Sequence, residues 1–243
     1  MIAVLAAGLA MPAAAQQTLF EGSVTGTMSM PNGKTAPFKY YQLGSRVRQE
    51  FTFEQHTMAS IYDGTTGDMI MLMSEQKKYM VMNMHSASGT ARQLAEGLSG
   101  KRGGSQTPDF SKMKVTPTGQ RETIAGIGCD HYLFENTEDT GRDHKPIDIC
   151  GAPGLGFMGM AGQQSSMMPS TIALLRSQNP ELAKLARQGF FPLKMIFTGN
   201  DGTVIWQATQ VDRRRPDAAL FRPPAGYTEM VIPTMPGLPG RKP

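Results

Sequence analysis

Residues 67–85 read GDMIMLMSEQKKYMVMNMH, and the reading of this stretch decides the fold. Met69, Met71 and Met73 alternate with Ile70 and Leu72; Met80, Met82 and Met84 alternate with Val81 and Asn83. Successive side chains of a β-strand point to opposite faces, so a period of two marks a strand. The two runs flank the polar segment SEQKK and therefore read as one antiparallel hairpin. With a turn centred on Gln76 and Lys77, Met73 opposes Met80, Met71 opposes Met82 and Met69 opposes Met84. All six thioethers then leave one face, with opposed Cβ atoms about 5 Å apart. Ile70, Leu72, Tyr79 and Val81 leave the other. A hairpin apolar on both sides needs cover on both, a helix on one and a core, ligand or partner on the other.

The same period runs outward in both directions. In FEGSVTGTMSM, residues 20–30, Phe20, Gly22, Val24, Gly26, Met28 and Met30 share one face, while Glu21, Ser23, Thr25, Thr27 and Ser29 share the other. That is the pattern of an antiparallel sheet with one face on a core and one in water. PNGK at 31–34 is a turn. Further strands are expected at about 37–43, 45–53 and 56–62, before the hairpin strands at 68–74 and 78–84. Short polar breaks separate them, so a meander is the expected topology.

Beyond the hairpin the spacing changes. Ala91, Leu94, Ala95 and Leu98 follow i, i+3, i+4, i+7, the stripe of a short amphipathic helix. Strands resume at about 112–117, 120–125, 127–135 and 145–150. A Gly- and Met-rich loop, GAPGLGFMGMAGQQSSMM, leads to a helix near 170–178. A second helix has clear punctuation, with Asn179 as N-cap, Pro180 at the first helical position and Gly189 just past the end. Strands at 191–198 and 203–212 flank the turn TGNDG. The tail at 231–243 reads as disordered. The expected fold is mainly β, α+β in class: one antiparallel sheet with a few helices packed on it, in a single domain over 16–230.

Composition narrows the function. The chain has 243 residues, 40% of them hydrophobic, which suffices for a sizeable core. Its formal charge of +4 is modest and spread along the chain, so no nucleic-acid partner is expected. No apolar run reaches the ~20 residues of a membrane span. Residues 1–15, MIAVLAAGLAMPAAA, carry an apolar stretch and a small-residue A-x-A end, which reads as a secretory signal peptide. The basic region that normally opens such a peptide is missing, so the natural start is expected upstream. The mature chain is expected to begin near Gln16, in the periplasm. In such a compartment the two cysteines, Cys129 and Cys150, are expected to form a disulfide. A hairpin centred near Asp139 and Thr140 would set them opposite each other. The bridge would contribute roughly 3 kcal/mol.

The 19 methionines are about one residue in thirteen, and six sit on the hairpin face. Three roles fit that face. Met fills irregular gaps in a core. Flexible thioethers also suit a surface that accepts varied apolar guests. Soft sulfur also selects Cu(I), and His85 adjoins Met84, although strand alternation points the two to opposite faces. The four histidines, His56, His85, His131 and His144, show no metal-ligand spacing. There is no G-x-S-x-G, P-loop or dinucleotide fingerprint. Arg213, Arg214 and Arg215 read as a solvated strand end. No catalytic residue, metal or cofactor is expected.

Several segments together resemble an exported bacterial family of unknown function. They are FEGSVTGTMSM, YYQLGSRVRQEF, IYDGTTGDMIMLMSEQKKYMVM, TPTGQRETIAGIGCDHYLF, GAPGLGFM, FPLKMIF and DAALFRPPAGYTEM, which cover most of residues 18–230. Such proteins look like periplasmic lipoprotein carriers of the LolA/LolB type. The resemblance implies an open half barrel, a curved antiparallel sheet with helices on its concave side and a hydrophobic cavity. It carries no catalytic residues. The function expected is non-enzymatic binding of a lipid, an acyl chain or a lipoprotein. Met69, Met71, Met73, Met80, Met82 and Met84 would line the site, with Leu94 and Leu98 on a covering helix. The alternatives are a copper-binding envelope protein and a purely structural or interaction module.

Overall fold

The computed structural model describes residues 20–54, 56–83, 110–137, 145–156 and 177–230. Met84, His85, Leu94, Leu98 and the loop methionines after Cys150 lie outside the described residues, as do residues 1–15 and the tail at 231–243.

Among the described residues, twelve strands form one sheet. They are β1 (Gly22–Ser29), β2 (Thr35–Leu43), β3 (Arg46–Phe53), β4 (His56–Asp63), β5 (Asp68–Met73), β6 (Lys78–Asn83), β7 (Met113–Ile124), β8 (Ile127–Asn136), β9 (Ile147–Ala152), β10 (Phe191–Gly199), β11 (Gly202–Asp212) and β12 (Thr228–Glu229). The order across the sheet is β12-β6-β5-β4-β3-β2-β1-β11-β10-β9-β8-β7. Two antiparallel meanders, β1–β6 and β7–β11, are zipped together by the β1–β11 pair. Only β12 pairs in parallel, on the outer side of β6. The expected strands at 112–117 and 120–125 are one strand, β7, whose pairing with β8 is interrupted between Pro117 and Arg121. Proline lacks the amide proton a ladder needs, and an edge strand tolerates the break.

The sheet is open and strongly curved. In a flat sheet β7 and β11, four strands apart, would be separated by ~19 Å. Their Cα atoms instead come within 8 Å. Tyr40 of β2 and Phe191 of β10 are three strands apart, yet their rings meet edge-on at 5.0 Å. Phe38 and Phe191 both pack on Trp206, at 5.5 and 6.3 Å. Large side chains on one face thus fill the hollow they create, and Val24, Tyr40, Phe191, Leu193 and Trp206 are at most 1% exposed.

Among the described residues there is one α-helix of length, α1 (Pro180–Arg187). Asn179 caps it as the sequence predicts: its Oδ1 accepts from the Leu182 amide at 3.0 Å. Its Nδ2 also donates to the Met113 carbonyl, tying the helix to β7. The buried stripe Leu182, Ala183 and Leu185 packs with Phe134, Ile149 and Phe190.

The disulfide joins Cys129 and Cys150, with Cα atoms 5.4 Å apart. The pairing differs from expectation by one step. His131, not Cys129, lies opposite Cys150, so the bridge runs diagonally between β8 and β9.

Candidate functional site

The β5–β6 hairpin forms as the alternation predicts, but its register is one step tighter. Met69 opposes Met82, Met71 opposes Met80, and Met73 opposes Lys78. The turn is the reason. The Lys77 amide bonds back to the Ser74 carbonyl, and Lys77 takes a left-handed φ of 47°. The loop therefore closes over Ser74–Lys77, centred one residue before the expected position.

Antiparallel partners share a face, so the register extends the Met face across the sheet. One row runs Tyr40, Gln49, Ser60, Met71, Met80 from β2 to β6. The next runs Gln42, Val47, Tyr62, Met69, Met82. Tyr40 and Val47 belong to the main core, so the thioether face continues the concave face of the sheet. Met69, Met80 and Met82 are buried and cluster with Tyr62, with Met71 packed against them. A third row, Phe38, Phe51, Met58, Met73, Lys78, leads outward. Its Met58 is 62% exposed.

The helix expected to cover the hairpin lies outside the described residues. Among the described residues, the C-terminal segment lies over the hairpin's Ile70–Leu72–Tyr79 face. Phe221 packs with Leu43, Ala59, Ile61 and Leu72, and Leu220 and Tyr227 add to the contact with Ile70 and Tyr79. Arg48 donates to the Leu220 carbonyl at 2.9 Å, and the Arg46 guanidinium stands 5.5 Å over the Phe221 ring. β12 then adds its short parallel pairing to β6. Leu220 and Phe221 lie in a single 3-10 turn, Ala218–Phe221, which the Asp217 side chain caps by accepting from the Ala219 amide at 2.9 Å.

A second cluster escaped the sequence reading. His131 is buried on β8, with Nδ1 2.8 Å from Asp148 of β9 and Nε2 3.3 Å from Glu122 of β7. Lys194 of β10 donates to both Glu122 oxygens, at 3.0 and 3.1 Å. The Lys194 ammonium, through this hydrogen bond, holds the Glu122 carboxyl below its ordinary range; partial burial opposes it and His131 assists. Glu122, His131 and Cys150 approach closely enough to suggest a metal site. The Cys150 sulfur is committed to Cys129, however, and a disulfide is no thiolate ligand. The four side chains instead form an ion network over the bridge. They come from four strands, with Glu122 and Lys194 72 positions apart in sequence, and no local spacing signals them.

The basic run at 213–215 is locally engaged. Arg214 forks onto Asp212, Arg215 approaches Glu21 at 3.5 Å, and Arg213 lies 5.9 Å from the Phe20 ring centroid. Among the described residues, no helix is long and apolar enough to cross a membrane.

These features define a one-sheet protein with a disulfide-stapled half and a thioether-lined half. The chain belongs to the family described as domain of unknown function DUF4412, whose model matches residues 20–227. No curated protein matches it. Among solved structures, an uncharacterized conserved protein from Thermus thermophilus is similar at 8% identity and a TM-score of 0.45, over 86% of this chain and 90% of that one. PNGF-II is similar at 12% identity and a TM-score of 0.42; the match covers 85% of this chain and 30% of that one.

Proposed function

We propose that the protein is a non-enzymatic periplasmic binder of an apolar guest, such as a lipid, an acyl chain or the lipid-bearing end of a lipoprotein. The single observation that carries this reading is the placement of Met69, Met71, Met80 and Met82 side by side on the concave face. Thioether chains are flexible and polarisable, so such a wall adapts to guests of varied shape. Burying alkyl surface there at about 25 cal/mol per Å² supplies affinity without a charged contact. The sheet's curvature is compatible with the half barrel of lipoprotein carriers. The disulfide supports a life in an oxidising compartment, and with it export through residues 1–15.

Native mass spectrometry of protein purified from its own host tests the reading. The expected spectrum carries adduct masses of lipid size, and a fluorescent acyl probe binds the delipidated protein. A clean apo mass with no probe binding would leave the Met face as plain core and remove the proposal. Fractionation of the host tests the address: the expected product is periplasmic and begins near Gln16.

A further inference from the structure

We infer that the concave Met face carries a polar anchor, Gln49 with Ser60, which selects single-chain amphiphiles whose head is uncharged and hydrogen-bonding. This rests on the guest-binding reading above and narrows its ligand class.

Gln49 is 7% exposed and stands on the concave face between Tyr40 and Ser60. A carboxamide offers two donors and an acceptor oxygen with two lone pairs. Among the described residues, neither the Gln49 side chain nor the Ser60 hydroxyl has a hydrogen-bond partner. Gln42, on the same face one row away and 1% exposed, provides the contrast. Its Oε1 accepts from the Tyr40 hydroxyl at 3.0 Å, and its Nε2 donates to the Gly44 carbonyl at 3.4 Å. Gln42 is thus committed to the fold, whereas Gln49 keeps its hydrogen bonds for something else.

The surroundings set the head group. The residues facing Gln49 from the neighbouring strands, Tyr40 and Ser60, are uncharged, and so are the next positions on that face, Phe38, Gln42, Met58 and Tyr62. A carboxylate or ammonium placed here would lose its hydration and gain no counter-charge. An alcohol, an ester carbonyl or an amide would complete the bonds of Gln49 and Ser60. The row then continues through Met71 to Met80. Three strand spacings from Gln49 to Met80 give ~14 Å of uncharged surface, which suits one extended alkyl chain.

Isothermal titration with decanol, decanamide and decanoate at pH 8 tests the inference on the unmodified, delipidated protein. The expected order is decanamide and decanol bound, and decanoate at least tenfold weaker. Gln49→Leu is expected to weaken decanamide about tenfold and to shrink its advantage over decanoate, with Ser60→Ala acting in the same direction by less. A near-ultraviolet spectrum dominated by Trp206 checks that both variants are folded. Equal affinities for decanamide and decanoate, or wild-type decanamide affinity in both variants, would overturn the anchor while leaving guest binding intact. If neither the alkyl series nor the uncharged fluorophore N-phenyl-1-naphthylamine binds the wild-type protein, the guest-binding reading itself fails and the anchor with it.

Discussion

Gly151→Ala is a one-methyl change that probes how the helical half is packed onto the sheet. Gly151 sits on β9 between Asp130 of β8 and Pro192 of β10. A Cβ built there would fall deep inside van der Waals contact with Cε2 and Cζ of Phe190, and 2.7 Å from its Cδ2. Ordinary carbon contacts are about 3.5–4.0 Å, so the ring must move by more than an ångström. It has little freedom to do so. Phe190 is 5% exposed, stands at 89° to Tyr132 with centroids 5.4 Å apart, and its amide is bonded to the Leu185 carbonyl at the end of α1. Overpacking of a filled core costs about 1–3 kcal/mol, and loss of a well-oriented aromatic pair adds about 0.5–1.5 kcal/mol. The sum is about 1.5–4.5 kcal/mol. For a domain of this size that lowers Tm by roughly 3–18 °C. Phe190→Ala alone is expected to cost about 3–5 kcal/mol through the cavity it leaves. In the double variant the new methyl occupies part of that cavity, so the two effects couple. Urea denaturation of the four proteins should give an interaction energy of about 1.5–3 kcal/mol in the stabilising direction. A Gly151→Ala variant within about 0.5 kcal/mol of wild type, or an additive double variant, would refute the packing described.

Three further perturbations test other parts of the molecule. Replacing Cys129 and Cys150 together by alanine is expected to cost about 3 kcal/mol, from the loop closed by a separation of 21 residues; chemical denaturation against the oxidised wild type measures it, and a loss below about 1 kcal/mol would contradict it. Lys194→Met removes the ammonium that lowers the Glu122 carboxyl's affinity for protons. Because that pKa is lowered by folding, the stability it contributes is complete above the ordinary carboxylate range and is lost as pH falls through the folded value. The wild-type advantage over Lys194→Met should therefore be constant above about pH 5 and shrink below about pH 4; an advantage that grows on acidification would reverse the assignment. Phe221→Ala is expected to cost about 3 kcal/mol or more, since a buried ring leaves Leu43, Ile61 and Leu72. Hydrogen exchange should show Thr228 and Met230, whose amides bond the Lys77 and Tyr79 carbonyls, losing protection first; unchanged protection would free the strap from this anchor.

Much of the fold was legible because strands announce themselves locally. The alternation in FEGSVTGTMSM and in the Met hairpin is a backbone property, and β1, β5 and β6 fall within about two residues of the reading at either end. The Asn179–Pro180–Gly189 punctuation located α1 for the same reason, since capping is decided within a turn. Register was less legible. Both the Met hairpin and the β8–β9 pair were read one step off, because turn closure depends on backbone angles such as that of Lys77, which alternation does not encode. The candidate site was legible only in part. The thioether wall repeats every second residue and stands out. Gln49 is a single polar residue on an inward position, and the His131 network is assembled from β7, β8, β9 and β10.

By itself, then, the sequence determined where most of the strands lie, which side of the clearest of them is apolar, and that Cys129 pairs with Cys150. Those are consequences of side-chain period, and of there being only two cysteines. Only the tertiary structure decided how far the sheet curls and which face is concave. It also decided that the C-terminal segment backs the Met hairpin, and that His131 lies between two carboxylates. Each of these joins residues far apart in sequence, so it follows from how twelve strands twist and close on a shared core, which no local pattern records.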